Sequence, residues 1–187
     1  KMDGMRFNAI VRDGKVEYRS RNGKEIQLLG YLDDDFIELA GDVDCVFDGE
    51  LLIKQDGKLL DRQTGNGILN KANKGTISID EARKVHATIW DVIPFDDFTN
   101  GQCTDTYKSR FGRLQGAKLP KKISLVQSWE VENYDTAKAL FDEMLQRGEE
   151  GIILKDMNGI WEDKRSKGQI KFKGEMECDL KIVGIEE

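Results

Sequence analysis

Lys1-Met2-Asp3-Gly4-Met5-Arg6-Phe7-Asn8-Ala9-Ile10-Val11 opens the chain. Its second half sets Phe7, Ala9 and Val11 against Arg6, Asn8 and Ile10, the period of two expected of a strand with one buried face. Asp13-Gly14 then supplies a turn, and Val16, Tyr18 and Ser20 resume the alternation, so a hairpin is predicted. The first half places a lysine at the mouth of that strand, with a carboxylate two residues on, a glycine and then an arginine. Taken alone, these residues are equally a charged start to a surface strand.

Further along, Cys45 to Phe47 and Leu51 to Lys54 are strand-like, with Gln55-Asp56-Gly57-Lys58 as the turn into Leu59-Leu60. Leu32 to Ala40 is expected as a short helix, and Asp33 to Asp35 read as a solvated acidic turn. Ser78-Ile79-Asp80-Glu81 has the spacing of a capping box, so a short helix should run to Lys84, followed by a strand through Ile89 to Ile93. Tyr134 to Arg147 puts Ala137, Leu140, Phe141 and Leu145 on one helical face, and Gly148 stops it. Strands are expected at Gly151 to Leu154, Gln169 to Phe172 and Leu180 to Ile185. The sum is an α+β chain of mainly antiparallel strands, one globular domain over residues 1–187, with no repeat or internal linker.

Composition narrows the function classes. With 187 residues and 39% hydrophobic content, the chain can bury one substantial core. No apolar run approaches the roughly 20 residues that cross a bilayer, and no secretory signal opens the chain. Cys45, Cys103 and Cys178 are widely spaced and odd in number, which argues against a disulfide framework or zinc knuckle and for a reducing cytoplasm. The net charge of -6 means that bulk electrostatics would not recruit a polyanion; any nucleic-acid contact needs locally clustered cations.

Several short motifs together supply what transfer of a phosphoryl group to an amine requires: an uncharged nucleophile, cations around phosphate and carboxylates for a metal. A free lysine titrates at roughly 10.4, so a nucleophilic Lys1 needs positive neighbours or desolvation. Arg6, Arg21, Lys155, Lys171 and Lys173, gathered around Lys1, would provide the charge and bind phosphate. Glu50, in Phe47-Asp48-Gly49-Glu50-Leu51, and Glu150, in Glu149-Glu150-Gly151-Ile152-Ile153-Leu154-Lys155, offer acid groups for magnesium or manganese. Both lie beside a glycine, expected at a strand edge where backbone can approach a ligand closely.

The ordered set resembles the covalent nucleotidyltransferase superfamily of polynucleotide ligases and mRNA capping enzymes. The likeness lies in Lys1 to Arg6, Ser20-Arg21-Asn22-Gly23, Phe47 to Leu52, Ile89-Trp90-Asp91-Val92-Ile93-Pro94, Glu149 to Lys155 and Lys171-Phe172-Lys173. Gly67-Ile68-Leu69-Asn70-Lys71 with Gly75-Thr76-Ile77-Ser78, and the ending Asp179 to Ile185, look most like ATP-dependent DNA ligases of T-even bacteriophages. The resemblance implies an ATP-grasp-like adenylation domain that begins at its nucleophile and lacks the OB-fold domain that follows in the family. It also implies ATP as cosubstrate, magnesium or manganese, and nicked double-stranded DNA as partner, for a monomer in the cytoplasm, that of the host if phage-encoded. By the same likeness Lys1 carries AMP, Asp3 lies near the reacting ends, Glu50 holds the ribose and Trp90 stacks on adenine. Glu150 holds the metal, Lys155, Lys171 and Lys173 serve the nucleotide, and Arg6 and Arg21 grip phosphate at the nick. An RNA ligase, a GTP-using capping enzyme and a non-catalytic nucleic-acid-binding fragment share the motifs.

Other features have plainer readings. Trp90 is weighed against an ordinary core aromatic, and Lys164, Arg165 and Lys167 are either a solvated face or a contact to the DNA backbone. His86 lacks a ligand partner at useful spacing and reads as structural or surface. The cysteines read as packing residues.

Overall fold

A computed structural model of the chain describes residue 2 and residues 4–164 and 166–174. The expected strand Leu180 to Ile185, together with Lys1, Asp3, Arg165 and Cys178, lies outside the described residues.

The opening hairpin forms as its alternation predicts. Strands β1 (Met5–Arg12) and β2 (Lys15–Ser20) pair antiparallel. The turn between them has Asp13 at φ 49° and Gly14 at φ 68°, the pair of positive values that a two-residue hairpin matched to strand twist requires. Phe7, Ala9 and Val11 are buried. Helix α1 (Asp33–Ala40) packs there, and its Phe36 ring sits edge-on to Phe7 and Tyr18, each 5.9 Å away. Asp33 to Asp35 are therefore not a solvated turn. They form the first turn of α1, where carboxylates suit the helix dipole. The Tyr18 hydroxyl donates to Asp33 at 2.9 Å, and the Lys122 ammonium donates to Asp35 at 2.8 Å.

Cys45 to Phe47 and Leu51 to Lys54 prove to be one strand, β3 (Cys45–Gln55), continuous through Asp48-Gly49-Glu50. It turns at Asp56 and Gly57 into β4 (Lys58–Leu59). Helix α2 (Arg62–Lys74) follows, capped by the Asp61 carboxylate, which accepts from the Thr64 amide at 3.0 Å. The capping box forms as read, with Ser78 and Glu81 bonding reciprocally at the start of α3 (Ile79–Ala82). Strand β5 (Val85–Pro94) leads to α4 (Phe95–Asn100), β6 (Gln102–Cys103), α5 (Tyr107–Gly116) and β7 (Ile123–Leu125). The main sheet runs β2-β1-β3-β5-β7, with β4 appended to β3; β7 joins parallel to β5, and the other pairings are antiparallel.

Helix α6 (Tyr134–Gln146) begins at an Asn133 cap whose side chain accepts from the Thr136 amide at 3.0 Å. Its buried side chains are Ala137 and Met144; Leu145, expected on the inner face, is exposed, because the inward row steps from 137 through 140 and 141 to 144. Strands β8 (Gly151–Lys155), β9 (Trp161–Glu162) and β10 (Gln169–Lys173) complete the chain, β8 with β10 and β9 with β6. Phe172 packs on α6 against Phe141, 5.9 Å away at 84°. Residues that pair directly across an antiparallel ladder share a face, so the opposite face of this second sheet carries Lys171 opposite Ile153, Lys173 opposite Gly151 and Gln169 opposite Lys155.

Candidate active site

Arg6 lies on the face of β1 opposite to the Phe36 core, and register sets it across from Glu50 of β3. Its guanidinium takes the neighbouring Asp48 carboxylate bidentately, Nε to Oδ1 at 3.1 Å and Nη2 to Oδ2 at 2.7 Å, while remaining half exposed. Asp48 in turn is the cross-strand partner of Asp91 on β5. Two buried carboxylates side by side repel unless each is neutralised, and Asp91 has its own cation. Arg110 from α5 donates through Nε and Nη2 at 2.8 and 3.0 Å, with both side chains almost wholly buried. Arg110 also donates to the Asp105 carbonyl, so little of its hydrogen-bonding capacity is stranded.

Between Asp91 and Ile89 the β3–β5 register skips Trp90, which makes Trp90 the extra residue of a β-bulge. Gly49 faces this irregularity. A Cβ there would lie 2.5 Å from the Thr88 carbonyl oxygen and 2.9 Å from the Phe7 ring. The glycine of the second acidic motif is equally constrained, since Gly151 holds φ 138° and a Cβ would fall 2.0 Å from the Phe172 oxygen. For Gly49 the expectation of a strand edge open to a ligand is thus corrected, since β3 is central and neighbouring protein occupies the space; Gly151 does begin an edge strand, β8 of a two-stranded sheet, and there the backbone of β10 makes the close approach.

The two sheets meet at Lys155. Its ammonium stands 4.1 Å from the Tyr107 ring centroid and 5.8 Å from that of Trp90. Burial pushes its pKa down to about 8; Asp91 and Asp48 oppose that fall, and Arg110 and Arg6 add to it. Four residues taken from separate motifs, Arg6, Glu50, Trp90 and Lys155, are brought together around Asp48 and Asp91. Glu50 accepts from the Gly4 amide at 2.5 Å, which ties the start of β1 to the acidic motif. Lys171 and Lys173 are exposed on one face of β10. Glu150 lies 3.5 Å from Arg62 of α2. Arg21 is exposed in the turn after β2, Lys164 is exposed and pairs with Glu162 at 2.7 Å, and Lys167 is exposed. Lys1, Asp3 and Arg165 lie outside the described residues. Among the described residues no group of three or more His, Cys, Asp or Glu forms a metal cage.

His86 is structural, as read: it is buried, its Nε2 lies 2.5 Å from the Ser124 hydroxyl, and burial lowers its pKa to about 4. Cys45 and Cys103 are buried free thiols whose pKa values burial raises to about 12 and about 11. The residues missed in the sequence are Asp48, Tyr107 and Arg110. Their signal was present: Tyr107, Arg110, Phe111 and Leu114 follow the i, i+3, i+4, i+7 spacing of a buried helical face, with an arginine in an apolar slot.

A bulged antiparallel sheet whose carboxylates and arginines face a lysine-bearing second sheet has the fold of a ligase nucleotidyltransferase domain. A solved chain described as Pmar-Lig_Pre superposes with TM-score 0.75 at 24% identity, over 93% of this chain and 41% of that one. The Chlorella virus DNA ligase-adenylate superposes with TM-score 0.59 at 17% identity, over 92% and 59%. The family model for the ATP dependent DNA ligase domain matches residues 1–173, and the chain belongs to that family. The DNA ligase of Enterobacteria phage T4 is 33% identical over 221 aligned residues, 99% of this chain and 45% of the phage protein. That of Enterobacteria phage T3 is 25% identical over 237, or 99% and 65%. The chain thus spans less than half the length of its phage T4 relative.

Proposed function

We propose that this chain is the adenylating core of an ATP-dependent DNA ligase that seals nicks in double-stranded DNA, acting as a monomer in the cytoplasm and completed by an OB-fold domain. The observation that carries the proposal is the convergence of Arg6, Glu50, Trp90 and Lys155 on one cation-lined face. In the first step the Lys1 amine attacks the α-phosphorus of ATP, a P–N bond forms, the P–O bond to the β-phosphate breaks, and pyrophosphate leaves. AMP then passes from Lys1 to the 5′-phosphate of the nick. The adjacent 3′-hydroxyl attacks that phosphate, and AMP departs as the strand closes.

The roles follow from chemistry at each position. Trp90, partly exposed on its bulge, offers an aromatic face to adenine, and Glu50 accepts from the ribose hydroxyl. Lys155 adds a cation beside that wall. Lys171 and Lys173, projecting together from β10, neutralise the α-phosphate, and the surrounding positive charge lowers the pKa of Lys1. Arg6 and Arg21 hold the nick phosphate, Asp3 stands near the reacting ends, and Lys164, Arg165 and Lys167 contact the DNA backbone. Glu150 and Glu50 would hold magnesium or manganese. Two carboxylates without a full cage suit an ion that takes its remaining ligands from water and phosphate oxygens. Such an ion, when bound, would offset charge that builds on the transferring phosphate. Because each step is displacement at phosphorus, positioning and charge neutralisation dominate the rate.

The test is sealing of a nicked DNA duplex by the full-length protein. ATP should support closure, whereas GTP, or a nick in RNA, should not. Closure with GTP alone, or of RNA alone, would replace this reading with a capping-type or RNA-joining one.

A further inference from the structure

Helix α5 has no part in the chemistry described so far, yet its contacts end on site residues. The Tyr107 hydroxyl donates to the Trp90 carbonyl at 3.1 Å, and the Tyr107 ring lies 4.1 Å from the Lys155 ammonium. One turn on, Arg110 pairs with Asp91, the residue after Trp90. The first turn of α5 is also sewn to the segment after β8, since the Tyr107 amide donates to the Gly159 carbonyl at 2.8 Å and the Lys108 amide to that of Met157 at 2.9 Å. Phe111 stacks on Tyr107 at 5.5 Å and seats the helix. The element therefore joins the bulge of the main sheet to the lysine-bearing strand of the second.

A bulged residue is left out of the ladder that orients its neighbours. Trp90 is such a residue, and its ring is only partly buried. Its orientation must be fixed from outside the sheet, and Tyr107 reaches its carbonyl.

We infer that Tyr107 is a positioning residue for the nucleotide base, holding the bulged Trp90 by its carbonyl and seating the Lys155 ammonium against the same aromatic wall. The inference rests on Trp90 stacking on the base, as proposed above. Tyr107 acts through the Trp90 carbonyl and the Lys155 ammonium, and the ligand class it serves is a purine nucleoside triphosphate.

The experiment uses full-length protein in which every tryptophan other than Trp90 is phenylalanine, so that quenching by ATP reports on base stacking. Tyr107→Phe keeps the ring, the Phe111 stack and the face under Lys155, and removes only the hydroxyl. Half-quenching should then need about fivefold more ATP, the effect of one typical hydrogen bond. The rate of lysyl-AMP formation at saturating ATP should change less than about twofold, and sealing of a pre-adenylated nick should be unaltered. Tyr107→Leu, which also removes the ring, should weaken ATP further. A lower saturating rate at unchanged half-quenching would mark a merely structural tyrosine and overturn the inference. Quenching that Tyr107→Phe leaves unmoved would sink the inference alone. No quenching before Tyr107 is changed would sink the stacking reading, and this inference with it.

Discussion

At the scale of single residues, charge burial dominates. Asp91 and Arg110 are each 3% exposed, and each finds its bidentate ionic partner in the other. Arg110→Leu leaves a buried carboxylate without its cation, so denaturant melts should show a loss of about 3–5 kcal/mol. The exposed Arg113–Asp105 pair on the same helix is screened by water, and Arg113→Ala should cost less than about 1 kcal/mol in the same assay. Lys155 gives a dependence on pH. Its folded pKa, about 8, is below the value of 10.5 expected when the chain unfolds. Between the two, the unfolded chain holds a proton that the folded chain has released, so the contribution of Lys155 to stability rises as pH climbs from 8 to 10.5, against the opposite contribution of the buried Cys45 and Cys103 thiols. The full span corresponds to roughly 3 kcal/mol. The stability difference between the parent and Lys155→Met should shift by that amount between denaturant melts at the two pH values; a difference that does not change with pH would show that the proton lies elsewhere.

At the scale of elements, the bulge at Gly49 and Trp90 is the feature on which the site depends. Gly49→Ala drives a methyl into the Thr88 carbonyl and the Phe7 ring, both in packed surroundings. It should destabilise the fold by about 3 kcal/mol and disturb Trp90 fluorescence, while Gly67→Ala, where a Cβ meets open space, should do neither. The pairing of β5 with β7 carries its own titration. Burial holds His86 near 4, below its ordinary 6.5, so stability falls as pH drops through that interval, because the unfolded imidazole binds a proton that the folded one refuses. His86→Asn should flatten that fall in melts between pH 6.5 and 4. Elements with local signals were readable in advance. Asp13-Gly14 set the first hairpin, Ser78 and Glu81 the cap of α3, and the apolar period from Tyr134 with the stop at Gly148 the extent of α6, though its Asn133 cap was not read. Helix α2 was not, since its run of Gly65, Asn66 and Gly67 is poor in helix formers and is held by packing on Ile53 and by the Asp61 cap. Helix α5 had a readable face, but an arginine within it masked the period.

At the scale of the whole molecule, the motifs named residues and the fold supplied their partners. Short patterns were enough to single out Glu50 and Arg6 as candidates, whereas Asp48 was not singled out, because it pairs with Arg6 across a sheet register that no local spacing encodes. The pairing of Asp91 with Arg110 is legible only in three dimensions for the same reason. For a chain of net charge -6, any contact with a polyanion requires its cations to be concentrated: Lys155, Lys171 and Lys173 share one face of the second sheet, and Arg6 lies on the face of the main sheet away from the Phe36 core. The central claim is that this charge serves a nucleophilic amine on Lys1. The direct measurement is incubation of the full-length protein with magnesium and ATP labelled at the α-phosphate, followed by denaturation and peptide mapping. Acid-labile label is expected on the peptide that contains Lys1, and none after Lys1→Ala. Label on another residue, or label that survives Lys1→Ala, would contradict it.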